Sequence, residues 1–414
     1  MTALAGSSTI RMAWRNLWRN RRRTALALAA IGLSVTLVLA YTSIMRAYGD
    51  WIVEAITGPM LGHVQVHAPQ WRKDRLMDRT LRDAGEKLEL LRADPGVADA
   101  TARVYAPALA ARGEEGFAVM VVGIDPRAES GPARLLSDTT RLTAAKQALI
   151  GQQLAEQMGV KAGDELAIVG QGVDGSLAND LFIVAALVST PVDVLNRQGI
   201  LIDLAEAQTL FAMPDEAHEI VVHTHDAGAA AMVARRVAAA GAFAGAEVMD
   251  WRTLAPEMVE MVRLTELAGL LVLFLVFIAA AAGVANTMVM ATFERTREFG
   301  MLLALGTHPS RLVALVVAES IVLGVVGAFV GSLIGVALVA VTHETGIDYA
   351  QLAGGGPSAL SFQGMRMSLH FHPTLTVIDV VRPFAAVCLT SLLASIWPAV
   401  RASRLQPVQS LRGA

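Results

Sequence analysis

The residues best able to hold a metal are histidines in pairs: His63 with His67, His223 with His225 and Asp226, and His370 with His372. On a strand, positions two or four apart share a face, so each pair could offer two ligands to one ion. No third and fourth ligand follows at metal-site spacing, and strands often carry exposed histidines. The pairs are therefore read as ordinary strand residues, with no metal expected. Neither Gly-x-Ser-x-Gly nor His-Glu-x-x-His occurs, which disfavours a hydrolase. A phosphate-cradling loop needs glycine directly before lysine, so that backbone amides reach the phosphates and the ammonium neutralises them. Lys73, Lys87, Lys146 and Lys161 are the only lysines, and none follows a glycine.

These side chains are carried by a polypeptide too apolar for water alone. Of 414 residues, 54% are hydrophobic and 17% charged, with a mean hydropathy of +0.49. That balance places part of the chain in a bilayer and part outside it. A net charge of −3 argues against nucleic acid as a partner. The single cysteine, Cys388, lies in an apolar stretch, so no disulfide forms within the chain.

A helix crossing the hydrocarbon core takes about 20 largely apolar residues. Four stretches qualify, at 24–45, 267–292, 312–342 and 375–400. The first is longer than a signal peptide's apolar region and no small-residue cleavage site follows, so it reads as a retained anchor. Arginines set the orientation. Arg11, Arg15, Arg19, Arg21, Arg22 and Arg23 precede the first span; Arg295, Arg297 and Arg311 lie between the second and third; Arg401, Arg404 and Arg412 follow the fourth. The loop 343–374 holds only Arg366. The basic N-terminus 1–23, the loop 293–311 and the C-terminus 401–414 are thus expected to be cytoplasmic, with the loop 343–374 and the long segment 46–266 outside.

That long segment reads as α+β. HVQVH, FAVMVVGI, ELAIVG and LFIVAALVS look like strands, with turn chemistry at Asp174-Gly175 and Gly163-Asp164. Helical stretches intervene at 80–92, 152–158 and 227–240, and the length allows two lobes. At its edges AYGDWIVEAI and APEMVEMVRLTEL keep helical periodicity while becoming amphipathic, so helices one and two are expected to continue outward as a packed stalk.

Between the second and third spans, FERTREFGMLLALGTHPSRL predicts a short amphipathic helix from Glu294 to Leu305, with Phe299, Leu302, Leu303 and Leu305 as its apolar side. Gly306 stops it; Thr307 or His308 caps the next helix, with Pro309 in its first turn. Such a helix can dock into a groove on a partner or lie on the lipid surface, and periodicity leaves both open. In the third span Gly327, Gly331 and Gly335 recur every four residues, a spacing that lets helix backbones approach closely. Glu319, costly in lipid, must face protein or water.

The run NTMVMATFERTREFGMLLALGTHPSRLVALVVAESIVLGVVGAFVGSLIG resembles the signature of the FtsX-like/MacB-like permeases, the type VII ABC transporters. WPAVRASRLQPVQSLR resembles that family's close and AWRNLWRNRRRTAL its opening. GHVQVHAPQW, ALIGQQLAEQMGVKAGDELAIVG and GILIDLAEAQTLFAMP look most like the lipoprotein-releasing branch. The resemblance implies a four-helix membrane protein, with a MacB-like periplasmic core domain in 46–266 and an FtsX-like permease domain in 267–414, in a bacterial inner membrane. It also implies mechanotransmission, in which a separate ATPase, present in two copies and using ATP and Mg, drives a dimer of this chain or of this chain with a paralogue. No enzyme activity and no cofactor are implied for the chain itself.

On that resemblance Glu294, Arg295, Arg297, Glu298, Phe299, Gly300, Leu302 and Gly306 form the ATPase-coupling surface. Arg15, Arg19 and Arg22 are further candidates that anionic lipid explains equally well. A lipidated cargo would enter laterally where Tyr41, Ile44, Met45, Tyr48, Trp51, Met258, Met261 and Leu264 offer a soft apolar surface, although the same residues could simply pack the stalk. A periplasmic carrier protein could receive it. The alternatives are a signalling scaffold acting on a periplasmic partner such as a cell-wall hydrolase, or export of another amphiphile. A solute channel is disfavoured by the few polar residues of the second span.

Overall fold

The computed structural model describes residues 12–16, 18–113, 115–130, 134–137, 142–348, 360–362, 365–367 and 370–404. The end of the closing motif, from residue 405, lies outside them, as do Arg11, Arg412 and the stretch LAGGGPSA of the loop after the third span. Asp50–Met261 forms one compact unit; the residues up to Gly49, Val262–Asp348 and those from His370 form another.

The second of these units is a bundle of helices. Helix α1 spans Arg21–Ile56, α2 Pro256–Glu294, α3 Thr296–Ala304, α4 Pro309–Thr345 and α5 Val377–Ser403; α1 belongs to this unit through Gly49 and α2 from Val262. All but α3 are long and apolar enough to cross a membrane. Helices α1 and α2 are each longer than the apolar stretch predicted within them. His308 caps α4 by accepting from the Ser310 amide, with Pro309 in the first turn. Helix α5 begins with a capping box in which Asp379 accepts from the Thr376 amide at 2.8 Å.

The glycine row joins α4 to α1 within the chain. A Cβ on Gly327 would lie 2.8 Å from Ile31, and one on Gly335 2.7 Å from Leu39. At Gly331 the nearest atom is the Gly32 carbonyl oxygen. Two backbones meet there because neither residue has a side chain, and Thr36 Oγ1 donates across the seam to the Gly331 carbonyl at 3.0 Å. Ile31, Val35, Leu39, Val284, Leu323 and Val387 complete the core. At the opposite end from α3, Arg46 of α1 pairs with buried Asp379 of α5 at 2.7 Å.

The α+β unit holds a nine-stranded sheet: β1 Val64–His67, β2 Val97–Arg112, β3 Glu115–Ile124, β4 Gln147–Gly151, β5 Glu165–Gln171, β6 Leu177–Val188, β7 Gly199–Asp203, β8 Glu219–Thr224 and β9 Glu247–Asp250. Its order is β3-β7-β4-β6-β5-β2-β8-β1-β9, and β2 also pairs with β3. That extra pairing closes six strands into a barrel filled by Val104, Val121, Ile150, Ile168, Phe182 and Ile200. The first half of β2 belongs instead to a four-stranded sheet with β8, β1 and β9, packed on the helix Ala230–Ala239 through Val233 and Val237. One 16-residue strand thus serves two lobes. Ala84–Arg92, Gln152–Met158 and Ala230–Ala239 are helical, close to the three stretches predicted.

Candidate functional site

The loop between α2 and α4 is organised around Arg295. Helix α2 runs through Glu294, the backbone breaks at Arg295, and α3 restarts at Thr296, so Glu294 ends one helix rather than opening the next. Leu305 is followed by Gly306 at φ 87°, a left-handed conformation that stops α3 without a side-chain clash.

Arg295 turns inward. Its Nη1 donates to both carboxylate oxygens of Glu319 at 2.8 and 3.0 Å, and its Nε donates to Glu298 at 3.1 Å. Burial works against its charge, but Glu319 and Glu298 hold the guanidinium above its usual range. Glu319 is buried in α4 and also accepts from Asn16 Nδ2 at 2.5 Å. The costly carboxylate within an apolar helix therefore has partners on two other segments, as a buried charge requires.

The basic segment before the first span is committed too. Arg19 pairs with Glu298 at 2.5 Å and Arg23 with Glu294 at 2.5 Å. The hydrogen bond from Arg19, helped by Arg295, keeps the Glu298 carboxyl below the usual carboxylate range against a small opposing effect of burial. A polar cavity of about 220 Å³ lies among Asn16, Arg19, Arg23, Glu294, Arg295 and Glu319. Arg15 and Arg22 are exposed.

The predicted coupling surface thus divides in two. Phe299 is only 1% exposed and packs in the bundle core, with Arg295 stacked 5.0 Å above its ring; Gly300 is buried beside it. Both lie inside the bundle of this chain, where they pack the helix against it. Leu302 at 37% exposure, Met301, Leu305 at 78%, Arg297 and Glu294 face outward. Met301 had no signal beyond its place in the loop. The tie from Arg295 to Glu319 was not read from spacing, since periodicity within one helix says nothing of partners on another.

Residues 24–240 match the MacB-like periplasmic core domain, and residues 270–407 match the FtsX-like permease C-terminal family. The chain belongs to the FtsX-like/MacB-like family of ABC transporter permeases. It is 26% identical over 422 residues to the uncharacterized ABC transporter permease protein Rv0987 of Mycobacterium tuberculosis, covering 96% of this chain and 45% of that protein. It is 23% identical over 408 residues to the lipoprotein-releasing system transmembrane protein LolC of Neisseria meningitidis serogroup B, covering 94% of each. The macrolide export ATP-binding/permease protein MacB of Hyphomonas neptunium is 28% identical over 134 residues, 32% of this chain and 17% of that protein. This permease therefore spans less than half the length of two of these three relatives.

The residues predicted to receive a cargo lie in both compact units of the permease. Tyr41, Ile44, Met45, Tyr48, Trp51 and Met261 are half-buried, and Leu264 is 64% exposed. Tyr41 lies against Gly269, where a Cβ would sit 3.8 Å from its ring. Met258 is 3% exposed and is a packing position. The half of α2 nearer Pro256 presents Leu267, Leu270, Leu271, Phe274 and Leu275, all exposed.

His63 Nδ1 meets Thr224 Oγ1 at 2.9 Å, and its ring lies edge-on to His223 at 5.7 Å. His67 Nδ1 stands 3.5 Å from Glu247. Burial lowers the His63 pKa and takes that of His223 down to about 2, with Arg134 and His63 adding to the latter. His372 packs edge-on to His343 at 6.0 Å; the His370 side chain lies outside the described ones.

Proposed function

We propose that this permease couples an ATPase lying outside these 414 residues to the release of lipidated proteins from a bacterial inner membrane. The observation that carries the reading is the two-sided fastening of α3. Its inner side is locked by Phe299 and by the Arg295–Glu319 pair, while Met301, Leu302 and Leu305 remain open to a partner. A helix fixed on one side transmits force applied to the other instead of rolling. Leu302, Arg297 and Glu294 are the residues assigned to touch the ATPase, with Gly306 setting the angle at which α3 leaves the bundle.

In this reading the arginine-rich ends and α3 are cytoplasmic, the α+β unit is periplasmic, and two permease copies or a copy and a paralogue work with two ATPase subunits. Helix packing also supports it: α1 is held to α4 by the glycine seam and to α5 by Arg46, whereas the outer half of α2 is exposed. An acyl chain would reach the permease along Tyr41, Ile44, Met45 and Leu264 from the side of α2, a surface of aromatic and flexible apolar groups. LolC supports a lipidated protein as cargo, being a lipoprotein-releasing protein similar along nearly its whole length.

The test is reconstitution of the permease with its co-purified ATPase in phospholipid vesicles holding an acylated protein, with a photocrosslinker at Leu302. ATP-dependent loss of the acylated protein from the vesicles, with the crosslink made to the ATPase, is the expected result. Release of a macrolide-like amphiphile but not of the acylated protein would replace the cargo; a crosslink made only to lipid would remove the coupling role.

A further inference from the structure

The junction between the two lobes of the α+β unit contains a charge cluster sealed from water. Arg103 and Glu129 have no exposed side-chain surface. Arg103 Nε and Nη2 donate to the two Glu129 carboxylate oxygens at 2.6 and 2.7 Å. Its remaining donors reach the carbonyls of Pro59 and Met60, each at 3.0 Å. Those carbonyls belong to the turn Thr57–Leu61 that follows α1 directly. Glu219 of β8 stands 3.7 Å from Arg103 Nη1 and accepts from Tyr105 Oη at 2.6 Å.

The position of Arg103 along β2 gives the cluster its meaning. Arg103 pairs with Glu219 in the four-stranded sheet, and the next residue, Val104, pairs with Gly123 in the barrel. Glu129 lies in the segment that leaves the barrel after β3. One guanidinium therefore ties the sheet, the barrel and the end of α1.

Stability alone is a poor reason for this arrangement, because burying a charge pair costs desolvation that well-packed apolar residues of the same volume avoid. A guanidinium fork adds direction: its donors are fixed in one plane, so it cannot pivot about one bond without losing the others. The turn it grips needs such a restraint. Gly62, immediately after the turn, sits at φ 63°, and a tight turn ending in glycine is a natural place for a helix end to flex.

We propose that Arg103 and Glu129 are positioning residues that make the end of α1 and both lobes move as one body, so that displacement of α1 reaches the lobes instead of dissipating at residues 57–62. This rests on the proposed role as a force-transmitting permease. It adds the place where force passes from helix to domain.

The full permease with its ATPase is reconstituted in phosphatidylethanolamine–phosphatidylglycerol vesicles as wild type, as Arg103→Lys, and as the volume-matched double variant Arg103→Met with Glu129→Leu. ATP hydrolysis and release of an acylated protein are measured together. The double variant should hydrolyse ATP within about twofold of wild type but release at least about tenfold less cargo per ATP. Arg103→Lys, which keeps the charge and loses the fork, should fall between. Hydrolysis and release falling in parallel would mean a structural role only, and unchanged release per ATP would remove the clamp; either overturns the proposal.

A second measurement does not depend on the cargo. Spin labels at exposed Glu54, on α1, and Val194, on the barrel lobe, should give one narrow distance distribution in wild type with or without ATP, and a broadened one in both variants. A distribution equally narrow in the variants overturns the clamp even if wild type releases no acylated protein. Absence of release from wild type with the broadening present overturns the cargo reading and leaves the clamp standing.

Discussion

Arg295, in the break between α2 and α3, places one nitrogen within 2.8 and 3.0 Å of the two carboxylate oxygens of Glu319, which lies buried in α4. The pair fastens the loop to a membrane-spanning helix, and its two halves differ in what their loss exposes. Glu319→Ala leaves a mostly buried guanidinium with only Glu298 as its partner. Breaking such a pair costs about 3–5 kcal/mol, whereas replacing both members by apolar residues is often neutral. In detergent-solubilised permease, Glu319→Ala should lower the melting temperature clearly, and Arg295→Met with Glu319→Met should recover most of the loss. A double variant as unstable as the single one would show that the charge pair itself, not the avoidance of a lone charge, supplies the stability.

The glycine seam predicts a graded series. At Gly331 an added Cβ meets the Gly32 carbonyl oxygen and, at 2.8 Å, its Cα, neither of which can rotate away. At Gly335 the nearest obstacle is the end of the Leu39 side chain at 2.7 Å, which can turn, with the Leu39 Cβ farther off at 3.1 Å. At Gly283 nothing lies within 4 Å. Overpacking costs about 1–3 kcal/mol, so Gly331→Ala should fall in or above that range and Gly335→Ala below it. Gly283→Ala should be neutral or stabilising by up to about 1 kcal/mol, since alanine suits a helix better than glycine. Equal melting temperatures for the Gly331 and Gly335 variants would contradict the close approach of the two backbones.

How far the sequence could be read depended on which signals are local. The spanning helices announce themselves because about 20 apolar residues in a row have few other uses. Strand β2 was invisible: VADATARVYAPALAAR is rich in alanine and contains proline, so it lacks the β-branched composition that marks strands. Its buried Ala100, Ala102, Ala106 and Ala110 are small because both lobes crowd against it. Within α3 the apolar side was legible but its direction was not. Phe299 and Leu303 pack inward while Leu302 and Leu305 face out, although all four share one helix and one chemistry. Arg295 and Glu319 sit on different elements, and only the fold brings them together.

Phe299 and Leu302 should therefore fail in different ways. Phe299→Ala opens a cavity in the bundle core and should cost about 3–5 kcal/mol, read as a lower melting temperature with any ATPase contact weakened only as the folded fraction falls. Leu302→Asp puts a charge on an exposed position and should leave the melting temperature within about 0.5 kcal/mol of wild type, the range for surface changes. It should nonetheless abolish co-purification of the ATPase. If Leu302→Asp still retains the ATPase at wild-type yield, the outward side of α3 is not its docking surface.

His218 gives the α+β unit a pH dependence whose sign can be worked out. Its Nδ1 accepts from the Tyr105 amide at 3.0 Å, and its Nε2 lies 3.0 Å from the Met77 carbonyl, so the bonded form is the neutral ring protonated at Nε2. A second proton at Nδ1 would point at an N–H. Burial, the largest effect, lowers the pKa from 6.5 to about 4, against the Met77 hydrogen bond, with Arg75 adding to the fall. The folded state thus binds its proton at lower pH than the unfolded chain. The stability tied to the neutral ring is fully present above pH 6.5 and is lost as pH falls toward 4, a loss on the order of 3 kcal/mol. His218→Gln, with a carbonyl to accept from Tyr105 and an amide to donate to Met77, should flatten this part of the profile. Melting temperatures of wild type and His218→Gln between pH 7 and pH 4 decide it: parallel curves would mean that other groups govern the acid loss of stability.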